Sequence, residues 1–115
     1  MAKQNDKKEQ LRPGGVREEV FLTWKKEHGK IRCWKTNYEG RELVCYTYDP
    51  PEDLLALAMA KAKESLYAAG RVILGRTWLG GDDEIMAVVM VKIGMAMKLS
   101  EHYMGGYADF ELVEL

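Results

Sequence analysis

Three carboxylates in a row, Asp82, Asp83 and Glu84, follow the pair Gly80-Gly81 and precede an apolar run from Ile85 to Val91. Adjacent acids on a tight turn can hold a divalent cation, and a pair of such cations can carry phosphoryl transfer on a nucleotide. A second constellation gathers Lys25, Arg32, Trp34 and Thr36, with Thr23, in a segment rich in strand-forming residues. An indole beside guanidinium and ammonium groups can stack and neutralise single-stranded nucleic acid, and the same mixture is typical of protein hot spots. The remaining candidates are sparse. Cys33 and Cys45 have no identifiable activating base, and Ser65 and Ser100 lack any nucleophile signature. His28 and His102 have no acid or thiol at ligand spacing and read as surface residues, while Arg71 and Arg76 flank Gly75 without a convergent partner for an anion.

The string Leu79-Gly80-Gly81-Asp82-Asp83-Glu84 resembles the Gly-Gly-Asp-Asp or Gly-Gly-Asp-Glu turn of palm-type polymerases, CRISPR-associated palm proteins and diguanylate cyclases. In those families the turn joins two strands and its acids hold metal beside a triphosphate, so the resemblance implies Asp82 and Asp83 as metal ligands. It covers about six residues. The further acid on a preceding strand and the basic or Gly-rich triphosphate site that such chemistry needs are not identifiable upstream. A helix start also explains the same residues: Gly80-Gly81 as loop, Asp82 or Asp83 as N-cap, acids in the first turn. That structural reading is preferred. It assigns no catalytic residue, cofactor or metal, and keeps Asp82 and Asp83 as the alternative only.

The elements that must position these groups are those of an α+β fold. Glu19 to Tyr48 is rich in Val, Thr, Trp, Tyr and Cys and is cut by glycine at 29 and 40, which predicts a three-stranded antiparallel meander. Two-residue turns at His28-Gly29 and Glu39-Gly40 make cross-strand partners add to 57 in the first hairpin and 79 in the second. One face then carries Val20, Leu22, Trp24, Ile31, Cys33, Val44, Tyr46 and Tyr48. The other carries Phe21, Thr23, Lys25, Arg32, Trp34, Thr36, Leu43, Cys45 and Thr47, and the two cysteines point to opposite faces. Asp49-Pro50-Pro51-Glu52 predicts a capped helix running to Gly70, with Arg71 to Trp78 as a strand reached by a right-handed crossover. Asp82 to Met104 predicts one hydrophobic helix, and Ala108 to Leu115 a final strand, so that two helices cover one mixed sheet.

Composition bounds the function. The 115 residues suit one domain, 18–115, preceded by a basic flexible tail, 1–17, that holds five Lys/Arg against two acids. The rest has 12 basic against 16 acidic residues, which argues against a broad phosphate-binding face. No apolar stretch is long enough to span a membrane, and two cysteines make no disulfide framework, so a reducing, cytoplasmic setting is expected. Between Ile85 and Met97 the only charge is Lys92, and a helix so apolar calls for cover. The expected interface of a homo-oligomer takes in Ile85, Val88, Val89 and Ala96, in a region that also holds five of the seven methionines. The reading that follows is a small non-enzymatic accessory protein, of the compact kind common in phage and mobile elements, acting on an unknown protein partner through the Lys25, Arg32, Trp34 and Thr36 face. Nucleic-acid binding by the tail and that face, and metal-dependent nucleotide chemistry at Asp82 and Asp83, are the alternatives.

Overall fold

A computed structural model describes residues 11–105 and 111–115 and shows an α+β fold with five helices and one three-stranded antiparallel sheet among them. In chain order these are α1 (Glu18–His28), β1 (Ile31–Tyr38), β2 (Arg41–Tyr48), α2 (Glu52–Lys61), α3 (Leu66–Thr77), β3 (Trp78–Gly81), α4 (Glu84–Ala87) and α5 (Val89–Met104). Their contacts divide the chain into two compact units, one of residues 11–49 with 77–91, the other of 50–76 with 92 onward. Among the described residues no helix is long and apolar enough to cross a membrane.

In the first unit the second expected hairpin forms with the expected register. Ile31 faces Tyr48 and Tyr38 faces Arg41, around a turn in which Glu39 and Gly40 both have positive φ, 49° and 80°. Both central residues must be left-handed in this kind of two-residue turn, and that is what matches the twist of the strands. Cys33 sits opposite Tyr46, and Cys45 opposite Trp34, so the cysteines do project to opposite faces, and both are free thiols.

The expected first strand is instead α1. Glu18 and Glu19 stand in its first turn and Lys25, Lys26 and His28 in its last, the charge order that suits a helix dipole, and Gly29 (φ 79°) ends it rather than turning a hairpin. Phe21 and Trp24, one turn apart, pack on Tyr46 with ring centroids 6.0 and 5.8 Å away. Lys25 is therefore not on the sheet. Residues 12–16, expected to belong to a flexible tail, are held against this unit. Arg12 and Val16 bridge a turn, Val16 is buried, the Tyr46 hydroxyl donates to the Pro13 carbonyl at 2.8 Å, and the Arg12 guanidinium lies 3.6 Å from the Phe21 ring centroid while paired to Glu18. Residues 1–10 lie outside the described residues.

The sheet is wholly antiparallel rather than mixed. Its third strand is the four residues Trp78–Gly81, pairing with β2 through a bulge at Tyr46 and Thr47. The strand expected over Arg71 to Trp78 is helix almost throughout, and the crossover it implied is absent.

In the second unit the long helix expected from residue 50 to Gly70 is broken at 62–65. Pro51, not Asp49, occupies the N-cap position of α2, and the Asp49 carboxylate takes a bidentate hold of Arg32 at 2.9 and 3.2 Å. Ser65 restarts the chain as α3 by accepting from the Ala68 N–H at 2.9 Å. Gly70 is then interior to α3, not its end. A Cβ built there would fall 1.8 Å from the Ala96 carbonyl oxygen, so α3 and α5 cross at a point that admits only a hydrogen. Ser100, also buried, donates from Oγ to the Leu66 carbonyl at 2.6 Å and ties the same two helices.

The helix expected over 82–104 is two helices. Val88 is extended (φ −89°, ψ 115°) and separates α4 from α5, in keeping with the reluctance of β-branched residues to continue a helix. At the far end, residues 111–115 are exposed and without regular structure, so that part of the expected final strand does not form. The remainder of that strand, with Phe110, lies outside the described residues.

Candidate functional site

The Gly-Gly-Asp-Asp string lies at the end of β3 and the entry to α4, not on a reversal between two strands. Each of its residues has a local partner. Gly80 lies beneath the Trp24 indole, where an added Cβ would sit 2.8 Å from Cη2, and Gly81 (φ 137°) would bring one to 2.4 Å from the Val44 carbonyl oxygen. Asp82 bonds β2 twice at Val44: its N–H donates to the Val44 carbonyl and its Oδ2 accepts the Val44 N–H, both at 2.8 Å. The side chain thus takes the place that a further β3 residue would occupy in the ladder. Asp83 holds the N-cap position of α4 without a side-chain cap bond, and Glu84 pairs with Arg41. The Glu84 carboxyl is held below its usual range by its own backbone N–H and by Arg41. Among the described residues no group of three or more His, Cys, Asp or Glu is placed to hold a metal ion.

The aromatic and basic constellation is brought together only in part. Arg32, Trp34 and Thr36 share one face of β1, while Lys25 stands on α1. Trp34 is half-buried and its indole N–H donates to the Thr47 hydroxyl at 2.8 Å across the ladder. Arg32 is clasped by Asp49, as above. What remains open on this face is Thr36 rather than a ring and a free cation. His28 stacks on Tyr48 with ring centroids 4.1 Å apart and planes 10° from parallel. Burial pushes the Cys45 thiol up to about 12, with the charges of Cys33 and Asp82 adding to the effect, so it is an inert packing residue.

The residues expected to form an oligomer interface separate as well. Ile85 and Ala96 are buried, Val88 is half-buried, and only Val89 is well exposed, at 67%. The concave apolar surface lies farther along α5, entirely within the second unit. It is an open groove of about 430 Å³ floored by Leu66 of α3 and by Gly94, Met97 and Met104 of α5, with Lys98 and Glu101 at its rim. Leu66 and Met97 are 53% and 39% exposed there. Inspection of the sequence for an apolar face missed this groove because the face is diluted by glycine and by the Lys98–Glu101 pair. The signal was spacing: positions 94, 97, 98, 101, 104 and 105 fall on one helix stripe. Two of those residues, Gly94 and Gly105, add no side chain to it.

Compared with known proteins, the chain matches no family model, no curated protein and no solved structure.

Proposed function

We propose that this chain is a non-enzymatic binding protein that works by protein–protein contact and self-association, with the α3/α5 groove as its contact surface. The observation that carries the reading is the groove itself: methionine and leucine exposed side by side in a concavity with a single opposite-charge pair at its edge. Adaptable thioether side chains beside an apolar floor suit contact with another protein more than recognition of a small polar ligand. The side chains with chemical potential elsewhere are engaged in the fold, Asp82 on Val44, Trp34 on Thr47 and Arg32 on Asp49. This supports the binding reading over nucleotide chemistry at Asp82 or base stacking on Trp34.

The test is sedimentation of the purified full chain across the micromolar range, wild type beside Met97→Glu and Leu66→Glu. The expected result is a wild-type mass that rises with concentration and two variants that stay monomeric with unchanged helical circular dichroism. A wild type that remains monomeric, or variants that associate equally well, would overturn the reading.

A further inference from the structure

The α5 stripe has an order that singles out one occupant for the groove. Read from N- to C-terminus it runs Gly94, Met97, Lys98, Glu101, Met104, Gly105; read backwards it gives the same residue types with lysine and glutamate exchanged. The charged pair and the two glycines are also spaced evenly about the midpoint between Lys98 and Glu101, so that this much of the stripe is complementary to a second copy of itself turned end for end. We infer that two copies of this chain pair through α5 in antiparallel fashion about a two-fold axis. The axis passes between Lys98 and Glu101, and the occupant of each groove is the α5 stripe of the other copy. This inference rests on the groove reading proposed above and specifies its geometry.

Under that symmetry Lys98 of each copy meets Glu101 of the other and Gly94 meets Gly105, while Met97 and Met104 of the two copies lie on the same flank about 3 Å out of step along the helix. The methionines lie together on one flank of the stripe, and the two-fold operation brings like flanks together, as an isologous interface requires. A parallel pairing would instead set Lys98 against Lys98 and Glu101 against Glu101, so charge selects the antiparallel arrangement. Within one chain Lys98 and Glu101 already bond at 3.1 Å, but both are mostly exposed, and an exposed pair of this spacing contributes little and can exchange partners readily.

Gly94 adds an independent observation. It lies in the interior of α5, where glycine is disfavoured, yet a Cβ built on it meets nothing within 4 Å. Among the described residues nothing makes use of the missing side chain. An opposing helix backbone would, because the absence of Cβ lets two helices approach closely, as Gly70 lets α3 approach Ala96 within the second unit.

The decisive experiment uses charge reversal in the full chain under reducing conditions, read by sedimentation and native mass spectrometry. Lys98→Glu alone and Glu101→Lys alone each place like charges across the axis twice, and each should weaken self-association at least tenfold. Mixed in equal amounts the two variants should form a 1:1 heterodimer with affinity near that of the wild type, since one now presents two glutamates and the other two lysines. The doubly exchanged chain, with both substitutions, should also associate as the wild type does. Single variants that pair as well as the wild type, or a mixture that fails to form the heterodimer, would overturn the antiparallel register. If Met97→Glu abolishes association while the mixture fails, the groove stands and the register falls. If Met97→Glu leaves association intact, the groove reading has failed first.

Discussion

Gly70 and Gly94 are both interior to helices, where glycine costs roughly 1 kcal/mol relative to alanine, and the structure treats them in opposite ways. At Gly70 the missing side chain is filled by the Ala96 backbone and the Ser100 hydroxyl; at Gly94 the space is open. The first glycine is accounted for by the fold of the second unit. The second is not explained by any neighbour among the described residues, and the pairing proposed above would supply one. The two cysteines show the same division on the sheet, Cys45 sealed at 0% exposure and Cys33 open on the other face. A polar or small residue whose neighbourhood explains it is structural; one whose neighbourhood does not is where function is to be sought.

The sharpest way to break this contrast is to add one methyl group at each glycine. Gly70→Ala should lower stability by about 3 kcal/mol in urea or thermal unfolding, because overpacking against a backbone carbonyl cannot be relieved by turning a side chain. A loss under about 1 kcal/mol would mean that the α3/α5 crossing yields more readily than its geometry implies.

For the cysteines, labelling with a thiol reagent near neutral pH should modify Cys33 at least about a hundredfold faster than Cys45, since burial lets little Cys45 thiolate form. The same burial has a pH signature. With its thiol raised from 9.0 to about 12, the folded chain keeps the Cys45 proton after the unfolded chain has lost it. Stability should therefore be undiminished by this group below pH 9 and fall as pH rises from 9 towards 12, by about 1.4 kcal/mol per unit. Cys45→Ala should remove that slope, and an identical alkaline limb in the variant would show that other groups cause it.

Asp82 tests whether an acid in a suggestive string is structural. Asp82→Ala leaves the Val44 N–H without its acceptor and should cost about 2 kcal/mol, whereas Asp82→Asn keeps an acceptor oxygen and should cost less. Equal losses in the two variants would point to the carboxylate charge rather than to the ladder bond.

The smallest effect has the opposite sign. Gly94→Ala should stabilise the monomer by about 1 kcal/mol through helix propensity alone, measured in dilute solution. In concentrated solution the same methyl group should weaken self-association, and a variant that gains stability without losing association would remove Gly94 from the interface.

Much of the first unit could be read in the chain directly. The alternation from Ile31 to Tyr48 around Glu39-Gly40 predicts strands, register and the opposed cysteines, because a two-residue turn leaves no freedom in pairing. Residues 18–28 form a helix although Val20, Phe21, Leu22, Thr23 and Trp24 favour strands by type. Their helix is signalled instead by acids at one end, bases at the other and the one-turn spacing of Phe21 and Trp24. Val72, Ile73 and Leu74 misled in the same way, although Ser65 as a cap and Ala69, Ile73 and Thr77 at intervals of four mark a helix. A helix start at 82–84 was legible, since Asp83 and Glu84 open α4, but the groups that Asp82 and Glu84 meet, Val44 and Arg41, lie about 40 residues away and could not be named beforehand.

By itself, then, the order of residues determined what depends on neighbours: the β1–β2 hairpin, the α+β character, and the stripe on α5 with its reversible order. Tertiary structure alone decided which glycine would be filled and which left open, and that the Asp82 carboxylate would accept the Val44 N–H at the end of the ladder. It also decided that Ile85 would be buried in the first unit, and that in the second Ala96 would be buried while Met97 and Leu66 were left open in the groove. The physical reason is range. Turn geometry and helix periodicity act over a few residues, whereas close approach and burial depend on which distant segment arrives, and many sequences with the same local pattern would be met by a different one.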